Sequence, residues 1–433
     1  MKTVAFATLG CKVNTYETEV VARSFEKKGY KRVDFTDIAD IYVINTCTVT
    51  NTSDSKSRKI IRQSIRKNPD AIVVVMGCFA QINPDVLDSM PGVDIVVGNN
   101  YKNKVLDLVE EYIKRGKKII ATCDIRSICE FEDMSVDSYV ENKRAFVKIQ
   151  DGCDNFCSYC IIPWVRGRVR SKDPKKVIEE IKNLVLNGHI EVVLTGIHTG
   201  HYGSDLKDYT LAKLIKEIIK EVPNLKGLRI SSIEMNEVTS ELIEVTKASE
   251  KIVKHLHIPL QSGCDETLRR MNRKYTTFEF KNKIKELRKE FSDIAITTDV
   301  IVGFPGETEE EFLKTYNFIK EMEFFTLHVF PFSKREKTKA AGMKEQVPYE
   351  IKKARVKKLI ELNNELALKY IKKFEGKTLQ VIPEVLENNY LVGHSDNYIK
   401  IKFLGDLSLI NKVVNVQVIK ASYPVSVGKL IEK

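Results

Sequence analysis

The sequence predicts an α/β protein of three successive units: an open, mostly parallel sheet, a second βα series forming a parallel barrel or part-barrel, and a small C-terminal β-barrel. Three observations carry this reading. At 433 residues the chain is longer than one compact core, since a domain takes roughly 150 residues. Short β-rich runs alternate with amphipathic helical stretches as far as residue 330, the pattern of parallel α/β folds. Beyond a long charged helix the runs are strand-like with no helical pattern between them.

In the first unit, strands are expected at 3–8, 41–45, 71–76 and 94–97, with helices at 16–28, 53–66, 84–90 and 102–115. The second helix opens on Asn51-Thr52-Ser53-Asp54, a capping cluster. Residues 121–143 are acidic and lack periodicity, so they read as a linker. The second series has strands at 145–149, 191–195, 227–231, 255–258, 294–302 and 327–330. Helices intervene at 174–187, 211–221, 240–248, 278–291 and 309–322. The long helix spans 349–374, and strands at 379–383, 390–393, 398–403 and 413–421 complete the chain. The expected domains are 1–120, the linker 121–143, 144–371 and 372–433.

Composition narrows the class. With 43% hydrophobic and 30% charged residues the chain resembles an ordinary globular protein, neither disordered nor membrane-embedded. No apolar run approaches a membrane span. The apolar stretch Val4-Ala5-Phe6-Ala7 is too short for a secretory core, and a cytoplasmic location is expected. In that compartment nine cysteines point to ligands or chemistry rather than disulfides. A net charge of +11 favours a polyanionic partner, with nucleic acid the leading class.

The strongest signal is Cys153, Cys157 and Cys160, three thiols in the loop after the first strand of the second series. A closed zinc site wants four protein ligands, and no fourth Cys or His is near; His189, His198 and His201 are distant in sequence. Three thiolates on a four-iron cube leave one iron open for substrate. A second set is Cys11, Cys47 and Cys78, each just after an expected strand of the first sheet. Those points share the carboxyl edge of a parallel sheet, where open α/β folds bind ligands. Any one of them alone would read as a small buried hydrophobe; the threefold placement favours ligation. Cys123, Cys129 and Cys264 have no such placement and read as structural or incidental. Lys56, Lys59, Arg62 and Arg66 recur at helical spacing, and Arg166, Arg168 and Arg170 flank the cysteine loop near Trp164. Phosphate contacts suit such residues, a solvated helix face being the rival reading for the first group, and arginines beside an aromatic suit single-stranded RNA.

The run Gly152-Cys153-Asp154-Asn155-Phe156-Cys157-Ser158-Tyr159-Cys160 resembles the radical S-adenosylmethionine (SAM) superfamily. The resemblance implies a (βα)6 part-barrel and a 4Fe-4S cluster whose open iron chelates SAM. It also implies Tyr159 against the adenine, Thr195 and Gly196 at the methionine part, and Val302 and Gly303 near the adenosine. Leu9-Gly10-Cys11-Lys12-Val13-Asn14, Asn45-Thr46-Cys47-Thr48-Val49-Thr50 and Gly77-Cys78 are similar to the cysteine boxes of the methylthiotransferase family. The likeness continues in His257-Ile258-Pro259-Leu260-Gln261-Ser262-Gly263, Met271-Asn272-Arg273, the stretch from Asp299 to Glu307, and Phe332-Ser333-Lys334-Arg335. It implies a second, auxiliary 4Fe-4S cluster on Cys11, Cys47 and Cys78, two roles for SAM, a reducing partner such as flavodoxin or ferredoxin, and a C-terminal RNA-binding barrel of TRAM type. The boxes around Cys11 and Cys153 look like the branch that acts on N6-threonylcarbamoyladenosine at position 37 of the tRNA anticodon loop. One departure is Glu336-Lys337, where that family more often has glycine. The same resemblance leaves as alternatives this chemistry on another tRNA adenosine or on a ribosomal protein side chain; the non-enzyme alternative is a metal-stabilised RNA-binding protein.

Overall fold

In the computed structural model, which describes residues 2–139 and 144–431, the chain opens with six parallel strands. They are β1 (Thr3–Thr8), β2 (Lys31–Val33), β3 (Ile41–Thr46), β4 (Ile72–Gly77), β5 (Ile95–Val97) and β6 (Ile119–Ala121), in spatial order β2-β1-β3-β4-β5-β6. The helices between them are α1 (Lys12–Lys27), α2 (Asn51–Lys67), α3 (Cys78–Ile82), α4 (Pro84–Asp88) and α5 (Val105–Arg115). Alternate residues pack on opposite faces: Tyr42, Ile44, Val73 and Val75 in one core, Ile41, Val43, Val74 and Met76 in the other. Burial on both sides is what a strand between two helix layers requires. The sequence missed β2 and β6, three-residue strands whose pairing partners, not their own pattern, define them.

The order turns back between β1 and β3, and this switch point opens the crevice in which doubly wound sheets bind ligands. Helix α1 starts four residues earlier than its hydrophobic pattern indicated, with Cys11 as its N-cap. The expected linker is anchored at points along its length: Met134, Val136 and Tyr139 are buried, and the Met134 carbonyl accepts from Tyr16 at 2.7 Å and from Lys172 at 2.7 Å. Residues 140–143 of that segment lie outside the described residues.

The central unit holds β7 (Ala145–Lys148), a short antiparallel pair β8 (Gln150–Asp151) and β9 (Arg170–Ser171), then β10 (Glu191–Thr195), β11 (Gly227–Ile230), β12 (His255–His257), β13 (Ala295–Val302) and β14 (Thr326–Pro331). Its helices are α6 (Ile162–Val165), α7 (Pro174–Leu186), α8 (Leu211–Glu221), α9 (Ser240–Lys247), α10 (Asp265–Arg270), α11 (Thr277–Glu290) and α12 (Glu309–Met322). Strands β7, β10 and β11 form one parallel sheet and β12, β13 and β14 another, joined by the parallel bridges Leu228 to Ile252 and Ser232 to His257. Among the described residues β7 and β14 do not pair, so the six strands form a part-barrel. Helix α1 covers the β7 edge.

Helix α13 (Tyr349–Lys372) joins the last two units, with Leu359, Leu362 and Leu366 in the central core and Ala367, Tyr370 and Ile371 in the C-terminal one. The strand residues of that core, Val381, Leu391, Ile401, Phe403, Val416 and Val418, come from a closed barrel of β15 (Thr378–Glu387), β16 (Tyr390–Ser395), β17 (Lys400–Leu404), β18 (Val414–Lys420) and β19 (Ser426–Leu430). Strand β19 was not foreseen; it closes the barrel by pairing with both β17 and β18. Phe325 of the central unit belongs to the same apolar cluster, so the barrel is fastened to its neighbour. Among the described residues no helix is long and apolar enough to cross a membrane.

Candidate functional site

Cys11, Cys47 and Cys78 follow β1, β3 and β4, so three adjacent strands deliver their thiols to one sheet edge. The approach is close. Gly10 has φ +108°, and a Cβ there would meet Cys47 Sγ at 3.2 Å; Gly77 has φ +100°, and its Cβ would meet Asn45 Oδ1 at 2.4 Å. Glycine is therefore required before two of the three cysteines. Burial, then the charge of Cys78, then smaller influences that include Cys11, raise the Cys47 thiol pKa, so the three groups sense one another. Asn99 Nδ2 donates to Cys78 Sγ at 3.6 Å, and Arg166 is the largest neighbouring charge on Cys11.

Cys153, Cys157 and Cys160 occupy the loop between β8 and α6. Arg273 donates to Cys157 Sγ at 3.2 Å, and His198 Nδ1 lies 3.5 Å from Cys153 Sγ. His198, set apart from this loop by its sequence distance, is thus its neighbour. The Gln150 side chain accepts from the His198 backbone N–H at 2.7 Å and fixes that approach. The other ring nitrogen faces Glu237. Burial opposes a charge on His198, but its hydrogen bonds to Cys153 and Glu237 outweigh burial and raise its pKa to about 10.

Both triads suit iron–sulfur clusters better than single ions. Tetrahedral zinc draws its sulfurs to about 3.8 Å from one another, given a Zn–S bond near 2.3 Å. Among the described residues no three cysteines hold their sulfurs within 4.8 Å of one another. Wider thiol spacing with cationic donors nearby is what an anionic thiolate-bound cube calls for. The two sets adjoin: Cys78 packs in one apolar cluster with Ile161 and Val165, just beyond Cys160. Cys123, Cys129 and Cys264 join neither set.

Thr195 and Gly196 stand at the carboxyl end of β10 and line a cavity of about 470 Å³ together with Cys11, Lys12 and Tyr398. All three units of the chain meet there. The Tyr159 ring lies edge-on to Phe304, centroids 6.5 Å apart, which brings the cysteine loop beside Val302 and Gly303 at the end of β13. His257, Asp299 and His328 form the barrel-side wall of the cavity, with the Asp299 carboxylate 3.2 Å and 3.1 Å from the two rings.

The basic residues divide. Lys56, Lys59, Arg62 and Arg66 are exposed on α2, and Arg168 is exposed beside the cysteine loop. Arg166 and Arg170, expected to face RNA, are 0% and 2% exposed. Arg166 donates to Glu17 at 2.5 Å and to Asn14 at 2.6 Å, and Arg170 donates to the Arg166 carbonyl at 2.9 Å. Glu17 of the neighbouring unit holds Arg166 inward, and Asp151 of their own unit faces both arginines, which the local sequence could not disclose. Trp164 is stacked by Arg126, 4.9 Å from its ring centre. Arg335 also crosses between units, to Asn51 at 2.7 Å and Asp54 at 2.8 Å. Nearby Lys337 has φ 68°, so the residue that departs from the expected glycine does take a glycine-like conformation.

Glu17 is fully buried and accepts from Lys102 of its own unit and from Lys148 and Arg166 of the next. Burial alone would raise its carboxyl pKa, but Arg166, Lys102 and Lys148 outweigh it and hold it well below the usual range. Glu17→Ala should cost about 3–5 kcal/mol, the penalty for stranding buried charges, read as a lowered urea midpoint. A folded pKa below the unfolded one means this stabilisation is present above about pH 4.3 and lost as pH falls through the depressed value. A midpoint unchanged at neutral pH would contradict this.

Fold and site together define a radical SAM enzyme with a second set of three cysteines at its N-terminal sheet edge. Residues 147–319 match the Radical SAM superfamily, and residues 3–98 match Uncharacterized protein family UPF0004. The threonylcarbamoyladenosine tRNA methylthiotransferase MtaB of Bacillus subtilis is 50% identical, over 100% of this chain and 97% of that protein. The protein of the same name from Aquifex aeolicus is 42% identical over 92% and 96% of the two chains. A tRNA-2-methylthio-N(6)-dimethylallyladenosine synthase of Clostridium novyi is 36% identical over 98% and 96%. Among solved structures, the radical SAM methyltransferase TsrM from Kitasatospora setae superposes with TM-score 0.57 at 16% identity, over 76% of this chain and 75% of that one, a likeness of fold. The chain belongs to the radical SAM methylthiotransferase family. It is an enzyme of tRNA that works with SAM and 4Fe-4S clusters.

Proposed function

We propose that this enzyme converts N6-threonylcarbamoyladenosine at position 37 of the tRNA anticodon loop to its 2-methylthio derivative. The observation that carries this reading is the cavity at which Cys11 and Lys12, the carboxyl end of β10 and Tyr398 of the C-terminal barrel converge. It supports a single site where a thiol-bound centre, SAM and a nucleoside meet. The extent of likeness to the Bacillus subtilis protein supports the nucleoside.

In this reading Cys153, Cys157 and Cys160 hold one cluster, and Cys11, Cys47 and Cys78 hold the auxiliary one. When bound, these groups supply reductive cleavage of SAM and a sulfur for the product. The chain's own residues position and shield. His198 and Arg273 direct cationic N–H groups at the sulfurs of Cys153 and Cys157. Tyr159, Thr195, Gly196, Val302 and Gly303 line the place for SAM. Lys59, Arg62 and Arg168, exposed, contact phosphates, and binding accordingly falls as salt rises. The C-terminal barrel binds RNA as a TRAM-type domain does, and the units divide near residues 120, 143 and 371. A flavodoxin or ferredoxin delivers electrons, and the enzyme acts in the cytoplasm.

Reduced enzyme given matched tRNA with and without the threonylcarbamoyl group should form methylthio product only from the first, measured by nucleoside mass spectrometry. Equal turnover of both would overturn the nucleoside assignment.

A further inference from the structure

Lys12, an exposed residue next to Cys11, is the one lysine or arginine among the described residues that line the cavity. Behind it, Arg229 and Arg144 are the like charges that act on it most strongly. Both guanidinium groups lie over the Tyr398 ring, 5.0 Å and 5.6 Å from its centre, and Tyr398 itself lines the cavity.

These cations are incompletely balanced. Glu191 takes Arg229 through Nε and Nη2, both at 3.2 Å, and Arg144 at 3.1 Å. Glu384 takes the other end of Arg144. Both carboxylates are taken by the two arginines, and the Lys12 side chain has no ion-pair partner among the described residues. Arg229 is 2% exposed, and its remaining Nη1 is buried with no hydrogen-bond partner. A buried guanidinium nitrogen left unpaired is costly; Arg229 does not line the cavity, so it acts on a bound anion through its charge and not as a donor. His255 stacks on Tyr398 at 4.4 Å, and burial, with Arg229 next, holds its pKa well below the usual value, so it adds no charge. Asp299, the carboxylate across the cavity, is taken up by His257 and His328.

We propose that Lys12, backed by Arg229 and Arg144, seats the free carboxylate of the substrate's N6 substituent and is the specificity-determining residue of this site. The inference rests on the nucleoside proposed above, whose threonylcarbamoyl group carries one carboxylate. That carboxylate gives Lys12 the partner it lacks, and an uncharged N6 group would leave it unpaired. Selection by a polar group that must be satisfied discriminates far more sharply than apolar fit does.

The test uses holoenzyme and anticodon stem-loops bearing either the free acid or its methyl ester. The unaltered enzyme should lose about 10- to 100-fold in kcat/KM on the ester, the worth of a charge-assisted hydrogen bond. Lys12→Met should lose a comparable factor on the acid and accept acid and ester within about threefold of each other, while Lys12→Arg restores preference for the acid. Iron content and 5′-deoxyadenosine formation are read on every variant, because Lys12 adjoins Cys11. Should Lys12→Met lose iron, Arg144→Gln carries the same comparison. Acid and ester turned over equally by the unaltered enzyme, or an undiminished acid preference in the variant that keeps its iron, would overturn the carboxylate seat alone. Equal turnover of stem-loops lacking the whole substituent would overturn the nucleoside reading as well.

Discussion

Replacing Cys153, Cys157 and Cys160 together with alanine is expected to halve the iron of the anaerobically purified protein, from about eight to about four per chain. Formation of 5′-deoxyadenosine from SAM should fall below detection, and methylthio product with it. The effect is total because the loop between β8 and α6 supplies three thiols to one place, and no other cysteine lies close enough in the chain to substitute. The fold should survive. These side chains are half-buried loop residues outside the main cores, and the loop is tied by backbone hydrogen bonds from Cys153 to Gly167 at 3.0 Å and from Ser158 to Met271 at 2.9 Å. Retained iron of about eight per chain, or persistent 5′-deoxyadenosine, would show that this triad is not the SAM-cleaving centre.

Replacing Cys11, Cys47 and Cys78 should remove the other half of the iron and abolish methylthio product, yet leave 5′-deoxyadenosine formation detectable. The two outcomes diverge because the triads belong to different units, each with its own strands and turns. Cys78 nevertheless shares an apolar cluster with Ile161 and Val165, so its loss should slow SAM cleavage through packing without stopping it. Methylthioadenosine formed in tRNA by this variant would reduce Cys47 and Cys78 to buried apolar residues and Cys11 to an exposed helix cap.

Much of this site was legible because it is written in local spacing. Three thiols within eight residues of chain must converge wherever the loop goes. The placement of Cys11, Cys47 and Cys78 was legible for a related reason: a parallel βα series puts every strand's end on one edge. The order β2-β1-β3, which places Cys11 and Cys47 beside a switch point, was not, since β2 is only three residues long.

Charge was where local reading failed. Arg166, Arg168 and Arg170 look equivalent as a basic run, yet only Arg168 is exposed. Arg166 finds Glu17 across 149 positions of sequence, and a buried cation follows its carboxylate because the alternative is an unpaired charge in low dielectric. His198 met Cys153 for a similar reason, the Gln150 side chain holding its backbone. Thus the sequence by itself determined the fold class, the two cysteine triads and the family likeness, since these follow from residue type at short separation and from the βα period. Only the tertiary structure decided which basic residues face solvent, which groups attend the sulfurs, and that Lys12, Thr195 and Tyr398 share one cavity. Those outcomes depend on how three units pack, and packing selects partners by complementary charge and shape between segments that lie far apart in the chain.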